Sequence, residues 1–250
     1  PNGITILIYE NFAAQSVVMT GSLHGGAIYE APNQSGLASL TASALMRGTR
    51  SRDFFTIHSA LEDIGADINV YAGSHRANFG GKSLAEDLPV LIDVLADVLR
   101  EPIFPTEQVE RLRGEVLTGL QIRNQDTRYR AARLFSETLY PEGHPYRAPL
   151  RGTVESVSAL QLDDVKAFHA RHYAPKGMIL AIVGAVKADQ ALRIVRDRLG
   201  DWQNPNQPPI ATVETPPPPA EIRRAFTAVP GKSQSDLVVG TIGLSRTDPD

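Results

Sequence analysis

The sequence predicts an α+β fold, with strands in one layer and helices in another. Three observations carry this. Short alternating runs rich in Ile, Val and Thr interleave with longer stretches whose apolar residues recur at helical spacing. No short-period repeat is present. Hydrophobic residues make up 42% and charged residues 21% of the 250, the balance of a soluble globular chain.

The elements follow in order. Ile4 to Tyr9 and Val17 to Leu23 read as strands. Gly25-Gly26 and the Pro32 to Gly36 stretch mark a turn and a helix start. Leu37, Leu40, Ala44 and Leu45 share helical spacing, and Gly48 closes that helix. Phe54, Ile57, Leu61 and Ile64 make a second helix, closed by Gly65. Asp67 to Tyr71 alternates as a strand, and Arg76 to Lys82 is its candidate hairpin partner. Leu84 to Leu99 is strongly amphipathic, with Leu88, Leu91, Ile92, Leu95 and Leu99 on one face. Thr106 to Leu139 is a long helical stretch with a candidate break at Asn124-Gln125-Asp126. Leu162 to Tyr173 is a helix, Met178 to Gly184 an apolar strand, and Ala188 to Leu199 a final helix. Ile222 to Val229 and Leu237 to Gly243 read as two further strands.

Composition excludes several classes. Lys and Arg number 25 against 28 Asp and Glu, a net charge of −3, so no basic excess points to nucleic acid. No apolar run approaches a membrane span of roughly 18 residues. No charged region followed by an apolar one opens the chain as a signal peptide would. There is no Cys, which excludes disulfides, thiolate metal sites and Cys nucleophiles, and leaves six His with the carboxylates as metal-capable groups.

Proline is unevenly placed. Seven of the 18 fall between Pro205 and Pro219, and Pro216 to Pro219 are continuous. Such a stretch favours extended, semi-rigid polyproline II. The expected organisation is a first lobe over 1–202, a linker over 203–220, and the start of a second, truncated lobe over 221–250. The chain begins at Pro1 and stops in the turn-like Asp248-Pro249-Asp250, which reads as processing or truncation at both ends.

The order of segments resembles the pitrilysin and insulin-degrading metallopeptidase family, which includes mitochondrial processing peptidase. The likeness rests on Asn2-Gly3-Ile4-Thr5, Ser35-Gly36-Leu37-Ala38, Leu45-Met46-Arg47-Gly48-Thr49 and Leu61 to Ala66. It continues through Asp87 to Leu91, Pro102-Ile103-Phe104, Gly143-His144-Pro145-Tyr146 with Gly152-Thr153, and His172-Tyr173-Ala174-Pro175. The resemblance implies a mostly antiparallel sheet with helices packed on one face.

That family's signature is His-x-x-Glu-His on the first helix. Two His at i and i+4 share a helix face and bind one zinc, and the Glu activates the bound water. A Glu some 75 residues later completes the site. Laid on this chain, the two His positions are Ser39 and Ser43, the general base is Ala42, and the third ligand is Gly119. A hydroxyl is a poor zinc ligand beside imidazole and carboxylate, and Ala and Gly offer none. The expectation is therefore no catalytic residue, no metal and no cofactor, with small residues packed closely where two helices cross.

Other candidates weigh less. His169 and His172, at i and i+3, lack a completing carboxylate and read as helix-terminal residues. His144 reads as part of a structural turn, and His24, His58 and His75 are isolated. Gly81-Lys82-Ser83 and Gly231-Lys232-Ser233 lack the upstream glycine of a phosphate-binding loop and read as ordinary loops. Arg111, Arg113, Arg123, Arg128, Arg130 and Arg133 read as a solvated helix face, partly offset by Glu107, Glu110, Glu115 and Glu137.

In the family, two lobes close as a clamshell on a peptide, sometimes as separate chains of which one has lost the zinc motif. The resemblance implies a non-catalytic subunit whose partners are a zinc-bearing subunit and a peptide held in a shared chamber. Peptide recognition there resembles the addition of an edge strand. The alternatives are a purely structural core-type protein of a larger complex, and a peptidase with relocated ligands.

Overall fold

A computed structural model describes residues 2–244. Five strands form one sheet: β1 (Thr5–Glu10), β2 (Ser16–Leu23), β3 (Asp67–Ala72), β4 (Ala77–Leu84) and β5 (Ile179–Gly184). Their spatial order is β1-β5-β2-β4-β3. Only β1 and β5 run parallel; the β5/β2, β2/β4 and β4/β3 pairs are antiparallel. The mostly antiparallel α+β reading therefore holds. The helices are α1 (Leu37–Ala44), α2 (Phe54–Glu62), α3 (Leu88–Arg100), α4 (Thr106–Arg123), α5 (Thr127–Leu139), α6 (Val154–Ala159), α7 (Leu162–His172) and α8 (Ala188–Leu199).

Strand alternation decides which face is covered. Val17 and Met19 of β2, Phe79 of β4 and Leu180 and Ile182 of β5 are buried in one core with the apolar face of α3, where Leu88, Leu91, Ile92, Leu95 and Leu99 are fully enclosed. The intervening residues Leu7, Tyr9, Val18 and Val183 stay exposed, Leu7 at 55% and Tyr9 at 66%. The helices lie on one face and, among the described residues, the other is left uncovered. Gly21 is required where β2 passes β5 and β4, because a Cβ there would sit 2.4 Å from Ile179 O and from the Phe79 ring.

The break in the long helical stretch falls where the sequence places it. α4 ends at Arg123, and the Asp126 side chain accepts the Tyr129 N–H to start α5. α6 is an addition to the sequence reading. Its six residues are too few to show a period, but Thr153 and Ser156 form a reciprocal capping box. α3 starts at Leu88 rather than Leu84, because Leu84 completes β4 opposite Ser16. Gly81-Lys82-Ser83 is not a loop: it lies inside β4, with Lys82 paired to Asp67 at 3.2 Å.

The two strands expected after the linker are not formed. No helix or strand is assigned over 203–244. Alternation suggests a strand, but a ladder partner is what satisfies its backbone. Ile222–Val229 and Leu237–Gly243 pair with no strand among the described residues, and Phe226 and Leu237 are exposed. The Asp248-Pro249-Asp250 turn lies outside the described residues.

Candidate functional site

The site expected from the sequence lies where α1 packs against α4 and beneath β3. The start of α1 is held by long-range contacts. Gly36, at φ +94°, precedes it, and a Cβ there would lie 2.8 Å from Arg151 O. Ser35 Oγ donates to Pro149 O at 3.0 Å, and Ser156 Oγ donates to Ser35 O at 2.7 Å. The orphan N–H groups of the first turn go to Glu30, whose carboxylate accepts from Gly36 N at 3.2 Å and Ala38 N at 2.7 Å. Burial pushes the Glu30 carboxyl up to about 7, against the pull of those two hydrogen bonds.

The other end of α1 runs into a short 3-10 turn, Leu45–Arg47. Arg47 donates to Glu115 of α4 at 2.7 Å and lies over the Phe54 ring at 5.2 Å. Beyond it, Thr49, Ser51 and Arg52 all donate to Asp97 of α3 at 2.7 Å. Both ends of α1 are therefore fixed, with α4 tied alongside.

Between these ties, Ala42 is fully buried, while Ser39 and Ser43 are half-buried. A Cβ added at Gly119 would meet nothing within 4 Å. Close packing was the expectation at this crossing. The structure instead leaves open space at Gly119. As a donor set for zinc the four residues do not fit: two hydroxyls, a methyl group and a hydrogen supply no imidazole or carboxylate. Among the described residues, no group of three or more His, Asp or Glu is placed to hold a metal.

The histidines are absorbed by packing. His169 donates from Nε2 to Leu99 O at 2.9 Å and meets Phe104 edge-on, and burial holds its pKa down to about 4. His172 lies between Tyr29 and Phe168, and burial brings it too down to about 4. His144 stacks on Tyr140, His75 meets Tyr146, His58 lies against Phe54, and His24 lies 3.3 Å from Arg76. The arginines divide. Arg113 is buried, whereas Arg111 pairs with Glu115 and Arg133 with Glu137 on the helix surface.

Beside α1, β3 is the edge of the sheet. The Gly73 N–H is donated inward to Arg76 O at 2.8 Å. By antiparallel alternation Tyr71, Asn69 and Asp67 also face β4, so Ile68, Val70 and Ala72 turn their N–H and C=O groups outward. The sequence showed the strand but not that it is an edge, which depends on the order of all five strands. Glu30 and Arg47 were likewise missed as determinants of α1; only the sequence proximity of Arg47 to the motif gave any signal.

Comparison with known proteins places this geometry. The family description "Insulinase (Peptidase family M16)" matches residues 6–153, and "Peptidase M16 inactive domain" matches residues 159–250. An uncharacterized zinc protease of Streptomyces coelicolor is 28% identical over 259 residues, covering 99% of this chain and 54% of the relative. A probable mitochondrial-processing peptidase subunit beta of Arabidopsis thaliana is 23% identical over 253 residues, covering 100% of this chain and 47% of the relative. A crystal structure of a peptidase M16 inactive domain from Pseudomonas fluorescens matches with a TM-score of 0.79 and 25% identity, covering 87% of this chain and 52% of that one. The chain spans about half the length of the curated relatives it matches.

Proposed function

Because this chain belongs to the insulinase family of peptidases, family M16, we propose that it acts as the non-catalytic half of a peptide-binding clamshell, partnered by a subunit that carries the zinc motif. The observation behind this reading is the contrast at α1. The four positions that would carry zinc and base hold Ser39, Ala42, Ser43 and Gly119, while the helix ends, α4 and the β3 edge around them are all kept in place. In this reading no bond-breaking step belongs to this chain. Its contribution is to bind and orient the peptide.

The outward backbone groups of Ile68, Val70 and Ala72 supply the means. An extended peptide laid along β3 forms main-chain hydrogen bonds, each worth about 0.5–1.5 kcal/mol, that do not depend on peptide sequence. In the same proposal residues 1–202 form the first lobe, 203–220 the linker, and 221 onward the beginning of a second lobe. The relative from Arabidopsis, a subunit by name, supports a heteromeric assembly.

The test is to co-express this chain with a subunit bearing His-x-x-Glu-His, purify the complex, and assay peptide hydrolysis. The expected result is stable association, with hydrolysis by the pair and none by this chain alone. Association with no change in hydrolysis would favour the core-type structural role. Stoichiometric zinc and hydrolysis in this chain alone would overturn the proposal in favour of relocated ligands.

A further inference from the structure

Beyond Trp202 the backbone is irregular and proline-rich, yet it is held at regular intervals. Trp202 is 6% exposed and belongs to the main core. Asn204 Nδ2 donates to Ala170 O at 2.8 Å. The Gln207 side chain closes two hydrogen bonds with the main chain of Lys176: Lys176 N–H donates to Oε1 at 3.2 Å, and Nε2 donates to Lys176 O at 2.7 Å. Ala211 N–H donates to the Tyr29 hydroxyl at 3.3 Å, and His144 Nε2 donates to Glu214 O at 3.0 Å. The anchors at 204, 207, 211 and 214 stand three or four residues apart, with Pro205, Pro208 and Pro209 between them.

We infer that residues 203–214 are a docked strap, not a free tether. Proline reduces the conformational freedom lost on docking, so few hydrogen bonds suffice to hold it. The strap touches the end of α7, the lead into β5, the turn before α1 and the loop before α6. It also shares a residue neighbourhood with the start of α1: Tyr29 packs on His172 with ring centroids 4.7 Å apart and precedes Glu30, which binds the first turn. Release of the strap would therefore be felt at α1. The inference concerns this chain alone and does not depend on the function proposed above.

Because the chain has no Cys, two labels can be placed without background. Lys166→Cys on α7 and Thr212→Cys on the strap are both at exposed positions outside the anchors. Pulsed electron spin resonance of nitroxides there should give one narrow distance distribution; a distribution spread over tens of ångströms, as for a free linker, would overturn the strap. Adding Tyr29→Phe and Gln207→Ala should broaden the distribution, and an unchanged width would overturn those anchors. The measurement with the two labels alone is independent of how the anchor variants fold. Glu214 and Glu221 are both exposed, but only the Glu214 carbonyl is held, by His144; a Glu-specific protease should therefore cut after Glu214 more slowly than after Glu221, and equal rates would overturn the docking.

Discussion

Glu30 carries a pH dependence that can be read from its surroundings. Its carboxyl is raised from an ordinary 4.5 to about 7 by burial. The folded chain therefore holds that proton more tightly than the unfolded chain between these values, and stability falls as pH rises through the window. Above about 7 both states are ionised and the loss is complete. His169 and His172, lowered to about 4, act oppositely: they take stability away as pH falls below 6.5. Comparing Glu30→Gln with the unsubstituted chain isolates the first effect. The difference in melting temperature should shift in favour of the variant from pH 4.5 to 7 and then level off. Gly119 gives a second expectation. With open space at its Cβ and a place inside α4, Gly119→Ala should stabilise the chain by about 1 kcal/mol in denaturant titration. A destabilised variant would mean that the space is needed. Installing the donors tests the proposed site itself. Ser39→His, Ala42→Glu, Ser43→His and Gly119→Glu together should bind one zinc by metal analysis, since α1 and α4 are already positioned.

At the scale of elements, Arg113 joins two helices through one guanidinium. Its Nη1 donates to Val157 O at 3.1 Å and to Leu160 O, at the end of α6, and its Nη2 pairs with Glu110 at 3.0 Å. Removing it leaves α6 carbonyls buried and unmet, so Arg113→Ala should cost about 2 kcal/mol and raise hydrogen exchange in α6 first. Uniform loss of protection would place the effect elsewhere. Sequence reading took Arg113 as part of a solvated face, because helical charge spacing cannot show that a distant segment closes over one residue. The same limit explains the other misses. Periodicity located the five strands to within two residues, the α4–α5 stretch with its break, and α3 apart from its first turn. α6 has too few residues for a period, and its capping box was the only available sign. Conversely, alternation at Ile222–Val229 was read as a strand although nothing among the described residues pairs with it. The proposed motif positions Ser39, Ala42, Ser43 and Gly119 rest on the sequence alone; the contacts that hold the ends of α1 were not legible there, because Glu30 reaches its first turn from outside it and Glu115 of α4 reaches Arg47 beyond its end.

At the scale of the molecule, one face of the sheet carries exposed apolar residues. Leu7, Tyr9, Val18 and Val183 lie on neighbouring strands, with Tyr9 opposite Val183 and Val18 opposite Val183 on the other side. A contiguous apolar patch of this kind binds hydrophobic dyes and promotes association. Replacing Leu7 and Val18 by Lys should reduce dye binding by the isolated chain and leave its melting temperature within a degree or two.

The parallel pairing of β1 with β5 has a further consequence, in time. Thr5 is aligned with Ile179, so this strand, once made, waits for a partner roughly 170 residues later. At about 5–20 residues per second, that is roughly 10–35 s during which an apolar strand has no sheet to join. Newborn chains therefore spend their synthesis with Thr5–Glu10 open to chaperones, and nascent-chain crosslinking should find that segment occupied until β5 has left the exit tunnel.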